Sequence, residues 1–144
     1  MPENNHKTIW FARLAVGGVF MMNVACAVTF IQQPEKYVAG CEVSGIPGKN
    51  IVQGFGILFL MWNVTYPLVI LQPRTQKALF LIILVQQAIG LAGETWLWLG
   101  LPADYAALHA TALRFILFDG LGLALMFAAY ALLHRLHPAP LGAG

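Results

Sequence analysis

The chain has 144 residues, 59% of them apolar and 10% charged, with a formal net charge of +2 and a mean hydropathy of +0.71. An ordinary globular domain is about 45–50% apolar and about 25% charged, and a soluble protein this small has too little interior to hide the excess. The composition excludes a soluble enzyme, a disordered chain and a disulfide-rich secreted domain, and predicts a single all-α integral membrane domain over 1–144.

A crossing helix needs about 20 mostly apolar residues. Four stretches qualify: 9–31, 50–71, 78–100 and 106–133. In the first, Lys7 and Arg13 precede the apolar run, and Ala25-Cys26-Ala27 resembles a signal-peptide or lipoprotein cleavage site. The run continues past Cys26 to Ile31, which favours a retained span. The segment 32–49, with Pro34, Gly40, Gly45, Pro47 and Gly48, reads as a long outer connection between helices 1 and 2. Within it, Pro34-Glu35-Lys36-Tyr37 is expected to start a short surface helix. The stretch 40–48 then forms either a lid that carries Glu42 to the bundle or a plain interfacial linker, since loops of this length are often functional.

In the second span, Pro67 lacks an N–H and is expected to leave the Asn63 carbonyl free. Asn63-Val64-Thr65 has the form of a sugar acceptor, but a mid-span position puts it out of reach of a transferase. The connections 72–77 and 101–105 are short and contain Pro73 and Pro102, so consecutive helices are antiparallel neighbours. The tail 134–144, rich in Pro and Gly, is expected to be a frayed end.

Lys7, Arg13, Arg74, Lys77 and Arg135 fall on one side of these spans, and Lys36 and Lys49 on the other. The excess of cations marks the cytoplasmic side, so both termini are expected in the cytoplasm. Trp10, Tyr66 and Tyr130 then belong to the inner interface, and Tyr37, Trp96, Trp98 and Tyr105 to the outer one. The cations are dispersed, so there is no footprint for nucleic acid.

Charged groups at membrane depth are costly and mark sites by default. A rise of about 1.5 Å per residue places Glu94 of the third span and Arg114 of the fourth at one level, roughly 9–12 Å below the outer boundary. An ion pair between them is expected, because the planar guanidinium grips a carboxylate through two bonds. Asn23 falls at similar depth, and Gln53 and His109 lie nearer the surface on the same side. These five residues form the expected ligand pocket. Deeper, Asp119 is level with Asn63, and the two form an expected midplane polar pair. Arg13 is expected to reach the inner interface.

The polar positions repeat at helical spacing: Arg13, Val16, Phe20, Asn23 and Ala27; Gln53, Gly56, Leu60, Asn63 and Pro67; Gln87, Gly90 and Glu94. Gly120, Ala124 and Ala128 form a small-residue ridge suited to close backbone approach. Cys26 and Cys41 are expected as free thiols; two isolated cysteines cannot build a zinc site, and a bis-histidine haem needs two facing histidines at depth. No metal and no cofactor are expected.

The layout resembles the DoxX-like group of small four-helix bacterial membrane proteins. The features that carry this are Arg13-Leu14-Ala15-Val16-Gly17-Gly18 in the first helix, the long outer segment with Pro34-Glu35-Lys36-Tyr37, and the Gly54–Gly56 opening of the second helix. The resemblance implies a helical bundle in a bacterial inner membrane and roles that include subunits of oxidoreductase systems. It transfers no catalytic residue.

The expected function is non-enzymatic: an accessory subunit, or a binder of an apolar small molecule or quinone through an outward-facing polar pocket. Its partners would be the lipid bilayer and a homodimer or larger membrane complex. The alternative is a membrane enzyme acting on a lipid, isoprenoid or quinone, with Glu94 and Asp119 moving protons and Arg114 stabilising negative charge. A proton-coupled transporter needs more than four helices unless the chain dimerises.

Overall fold

The computed structural model describes residues 2–135, with side chains over 6–133. The described residues form helices joined by short connections, with no strand among them, in the order α1 (Pro2–Gln32), α2 (Glu35–Val38), α3 (Gly45–Trp62), a 3₁₀ turn (Asn63–Thr65), α4 (Tyr66–Leu71), α5 (Lys77–Gly100) and α6 (Ala106–Arg135). Four helical rods are long and apolar enough to cross a membrane: α1, α3 continued into α4, α5 and α6. Their boundaries follow the apolar runs closely. The second rod differs, starting at Gly45 rather than at 50. Ser44 is extended there (φ −145°, ψ 167°) and opens the helix. Pro47 is tolerated because first-turn amides have no intrahelical partner. Gly48 packs closely on the preceding loop, since a Cβ there would lie 3.1 Å from Val43. His134 and Arg135 still belong to α6, and the rest of the expected frayed tail, 136–144, lies outside the described residues.

The rods form a ring. α1 packs on α3, α4 and α6; α5 packs on α6 and α4. The last part of the second rod, α4, thus touches both neighbours, while α3 packs chiefly on α1. Where α3 faces α6, rings bridge the distance: Phe59 and Phe115 stand 6.3 Å apart, centroid to centroid, and both flank Phe30 of α1. The bundle is closed at the α4 end and gapped at the α2 end.

The closed half is a core of Ala12, Val16, Tyr66, Phe80, Ile83 and Met126, each with no exposed surface. In a membrane, lipid is as apolar as leucine, so these residues hold helices together by close packing rather than by escape from water. Gly56 sets the α1–α3 distance, because a Cβ would come within 2.7 Å of the Ala27 carbonyl oxygen. On α6 the close approach falls on Gly122, 3.2 Å from Val19 by the same measure. The expected ridge does not make it: Ala124 and Ala128 are exposed, and Gly120 and Ala124 border a shallow apolar groove between α5 and α6.

Arg13 ties the closed end together. Its Nε donates to the Ile70 carbonyl at 3.1 Å and one terminal nitrogen donates to that of Leu71 at 2.9 Å. Both carbonyls end a helix and lack intrahelical donors. A guanidinium here also opposes the negative end of the helix dipole.

Candidate functional site

The break in the second rod begins with proline chemistry. Pro67 cannot donate to Asn63, and the chain tightens into a 3₁₀ turn in which the Tyr66 N–H bonds the Asn63 carbonyl. The expected free carbonyl is therefore occupied. In a 3₁₀ turn residues i and i+3 eclipse, so Asn63 and Tyr66 share the inward face, where an undisturbed α-helix would have brought in Pro67. Asn63 is 4% exposed and Tyr66 0%, whereas Pro67 is exposed. Tyr66 is accordingly a core residue and not part of an interfacial aromatic belt.

Above this turn the gap between the rods encloses a cavity of about 400 Å³. Its floor is polar. The Tyr66 hydroxyl donates to Gln87 Oε1 at 3.3 Å, and Gln87 Nε2 donates to Asp119 Oδ1 at 2.8 Å. Asn23 Nδ2 donates to Asn63 Oδ1 at 3.3 Å, and Asn63 Nδ2 donates to the Phe59 carbonyl at 2.7 Å. The other Asp119 oxygen, Oδ2, has no hydrogen bond and lies against Gly90, 3.2 Å from where a Cβ would stand. Trp62 reaches across from α3 to the same glycine, its ring 3.5 Å from that position. Glycine at 90 thus admits both the carboxylate and the indole.

The walls are largely aromatic, from Phe59, Trp62, Phe115 and Phe118. Two wall atoms are buried without a partner: Glu94 Oε2 and Trp62 Nε1. Leaving such groups unsatisfied costs about 1–3 kcal/mol each.

The roof is the segment after α1. Lys36, Tyr37 and Gly40 border the cavity. Tyr37 packs edge-on against Phe30 at 4.4 Å. Lys49 forms an ion pair with Glu35 at 2.7 Å, and this hydrogen bond holds the Glu35 carboxyl below its ordinary value. Glu42 Oε1 accepts the Ala107 and Leu108 N–H groups at 2.8 and 3.2 Å, capping the free amides that open α6. To do so Glu42 adopts φ +52°, a left-handed conformation unusual for a side-chain-bearing residue. Gly40 fits tightly against α6, since a Cβ there would lie 2.9 Å from Thr111 Oγ1. Cys41 and Cys26 are both free thiols, and burial pushes the Cys41 thiol up.

Of the five expected pocket residues, Asn23, Glu94 and Arg114 border the cavity. Gln53 does not; its Nε2 donates to the Ile31 carbonyl at 3.0 Å, joining α3 to the end of α1. His109 does not either; its ring bonds the Leu101 carbonyl at 3.2 Å and stands edge-on to Trp98. The expected Glu94–Arg114 ion pair is not formed: among the described residues Arg114 has no carboxylate within ion-pair reach. Helical rise fixes depth, not direction around the axis. Arg114 is exposed while Glu94 is half-buried. Asn63 and Asp119 share the cavity but not a bond, since each is held by an amide from another helix. Gln87 is the linking residue absent from the expected site, and its place on the stripe with Gly90 and Glu94 was the available signal. Trp62 and Tyr66 offered none, because their inward direction depends on the 3₁₀ turn.

No family model matches the chain, and neither the curated proteins nor the solved structures contain a match.

Proposed function

We propose that the chain is an integral membrane four-helix bundle that binds an apolar small molecule in the cavity beneath α2, as a free-standing binder or as an accessory subunit of a larger membrane complex. In this reading both termini are cytoplasmic, the α2 end faces outward, the host membrane is a bacterial inner membrane, and the layout is DoxX-like. The observation that carries it is the cavity itself: about 400 Å³, walled by aromatic rings, with Glu94 Oε2 and Trp62 Nε1 left without partners. Its volume falls within the range of about 300–1,000 Å³ usual for small-molecule sites. Thermal unfolding of the purified protein in detergent, with added phospholipids, quinones and sterols, tests it. A concentration-dependent rise in Tm with one class is expected, because a ligand that binds only the folded state stabilises it. No rise across the panel, together with an unchanged Tm in Glu94→Gln, overturns it.

One observation favours a second reading. The chain of bonds from Tyr66 through Gln87 to Asp119 orients a carboxylate toward the cavity, as a proton-moving group in an enzyme acting on a lipid, isoprenoid or quinone requires. Under that reading Asp119→Asn and Glu94→Gln abolish turnover in a protein that still folds.

A further inference from the structure

Two carboxylates, Asp119 and Glu94, and two cations, Lys36 and Arg114, border the cavity, and carboxylate oxygens of its floor and wall stand free. Asp119 Oδ2 has no hydrogen bond, and Glu94 Oε2 is buried without a partner. Neither carboxylate has a cation within ion-pair reach among the described residues. The amides nearby are already committed: Asn23 to Asn63, Asn63 to Phe59, and Gln87 to Tyr66 and Asp119. Both free acceptors, Asp119 Oδ2 and Glu94 Oε2, are carboxylate oxygens, and Trp62 Nε1 is a buried donor without a partner. A buried carboxylate is stabilised by a charged donor about twice as strongly as by a neutral one.

The walls are aromatic as well. Trp62, of the side-chain type that attracts a cation most strongly, brings its ring edge within 3.5 Å of the Gly90 Cβ position, which Asp119 Oδ2 also approaches. Phe59, Phe115 and Phe118 complete an apolar enclosure. The two cations that border the cavity, Lys36 and Arg114, are both exposed. Lys36 stands on the roof outside the spans, where solvent and salt screen it, and neither cation reaches a carboxylate of the cavity among the described residues.

We infer that the cavity selects a lipophilic amine: a protonated nitrogen that donates to Asp119 Oδ2 and Glu94, on an apolar body seated among the rings. This deepens the binding reading above and rests on it.

Phenylbutylamine, phenylbutanol and phenylbutyrate share one apolar body and differ in the head group: ammonium, hydroxyl or carboxylate. Their affinities for the purified protein in detergent, measured by calorimetry at neutral pH, separate the possibilities. The amine is expected to bind about tenfold more tightly than the alcohol, the scale of one charged hydrogen bond. Asp119→Asn keeps an oxygen for Gln87 to donate to; it and Glu94→Gln are expected to weaken the amine more than the alcohol and so to remove the tenfold preference between them. Tm values of both variants check that they fold. Equal affinities of amine and alcohol in the wild type overturn the inference and leave an apolar binding site standing. Tightest binding of the carboxylate overturns it in favour of Lys36 and Arg114. Failure of all three ligands removes the binding reading and the inference together.

Discussion

Gln87 Nε2 stands 2.8 Å from Asp119 Oδ1, joining α5 to α6 by a bond between two side chains well inside the bundle. The same amide accepts the Tyr66 hydroxyl through its oxygen, so one neutral residue links three of the four rods. Gln87→Leu is expected to strand both partners and to lower stability by about 1–3 kcal/mol. Unfolding in mixed detergent checks this, and a double-mutant cycle with Asp119→Ala, which removes the acceptor, should give a coupling of about 0.5–2 kcal/mol. A coupling near zero would show that the bond carries no energy.

Gly54 and Gly56 are two positions apart on α3 and should respond oppositely to alanine. A Cβ at Gly54 meets nothing within 4 Å, whereas one at Gly56 comes within 2.7 Å of a backbone oxygen of α1. Gly54→Ala is expected to be neutral or to stabilise by up to about 1 kcal/mol through helix propensity. Gly56→Ala is expected to cost about 1–3 kcal/mol through overpacking. Paired Tm measurements decide the matter.

Arg13 caps the carbonyls of Ile70 and Leu71. Hydrogen bonds to charged groups contribute about 1.5–3 kcal/mol, so Arg13→Met should destabilise by about that amount, with faster amide exchange in 72–76. Arg13→Lys should recover only part of the loss, since an ammonium lacks the planar fork that reaches two carbonyls.

The roof should respond to Glu42 and to acid by separate routes. Glu42→Ala removes the acceptor for two α6 amides and is expected to cost about 0.5–2 kcal/mol, as loss of a helix cap does. Amide exchange across 33–44 should quicken at neutral pH. The Glu35–Lys49 pair acts through protonation. The hydrogen bond from Lys49 lowers the Glu35 carboxyl in the folded state, so its contribution is present above the unfolded value, about 4.3, and is lost as pH falls through the lower folded value. Exchange in 33–38 should therefore rise only in acid, and Glu35→Gln should abolish that dependence.

The four rods were legible because about 20 apolar residues with polar punctuation leave little freedom of interpretation. Rise per residue grouped Asn23, Glu94 and Arg114, and all three border one cavity. Partnership was not legible. Asn63 turned inward with Tyr66 rather than Pro67 because a 3₁₀ turn changes the angular step, and the identity of the residue that closes on Asp119 depends on that rotation and on neighbouring helices. The small-residue ridge failed for a similar reason: Gly120 and Gly122 are two positions apart, and only packing against Val19 distinguishes them.

Tyr66, Phe80, Ile83 and Met126 fill the α4 half of the bundle with no exposed surface, directly beyond the polar floor. The chamber is therefore backed by close packing on its α4 side. In the binding reading proposed above, a guest seated in the cavity would rest against that packed half, which suits retention.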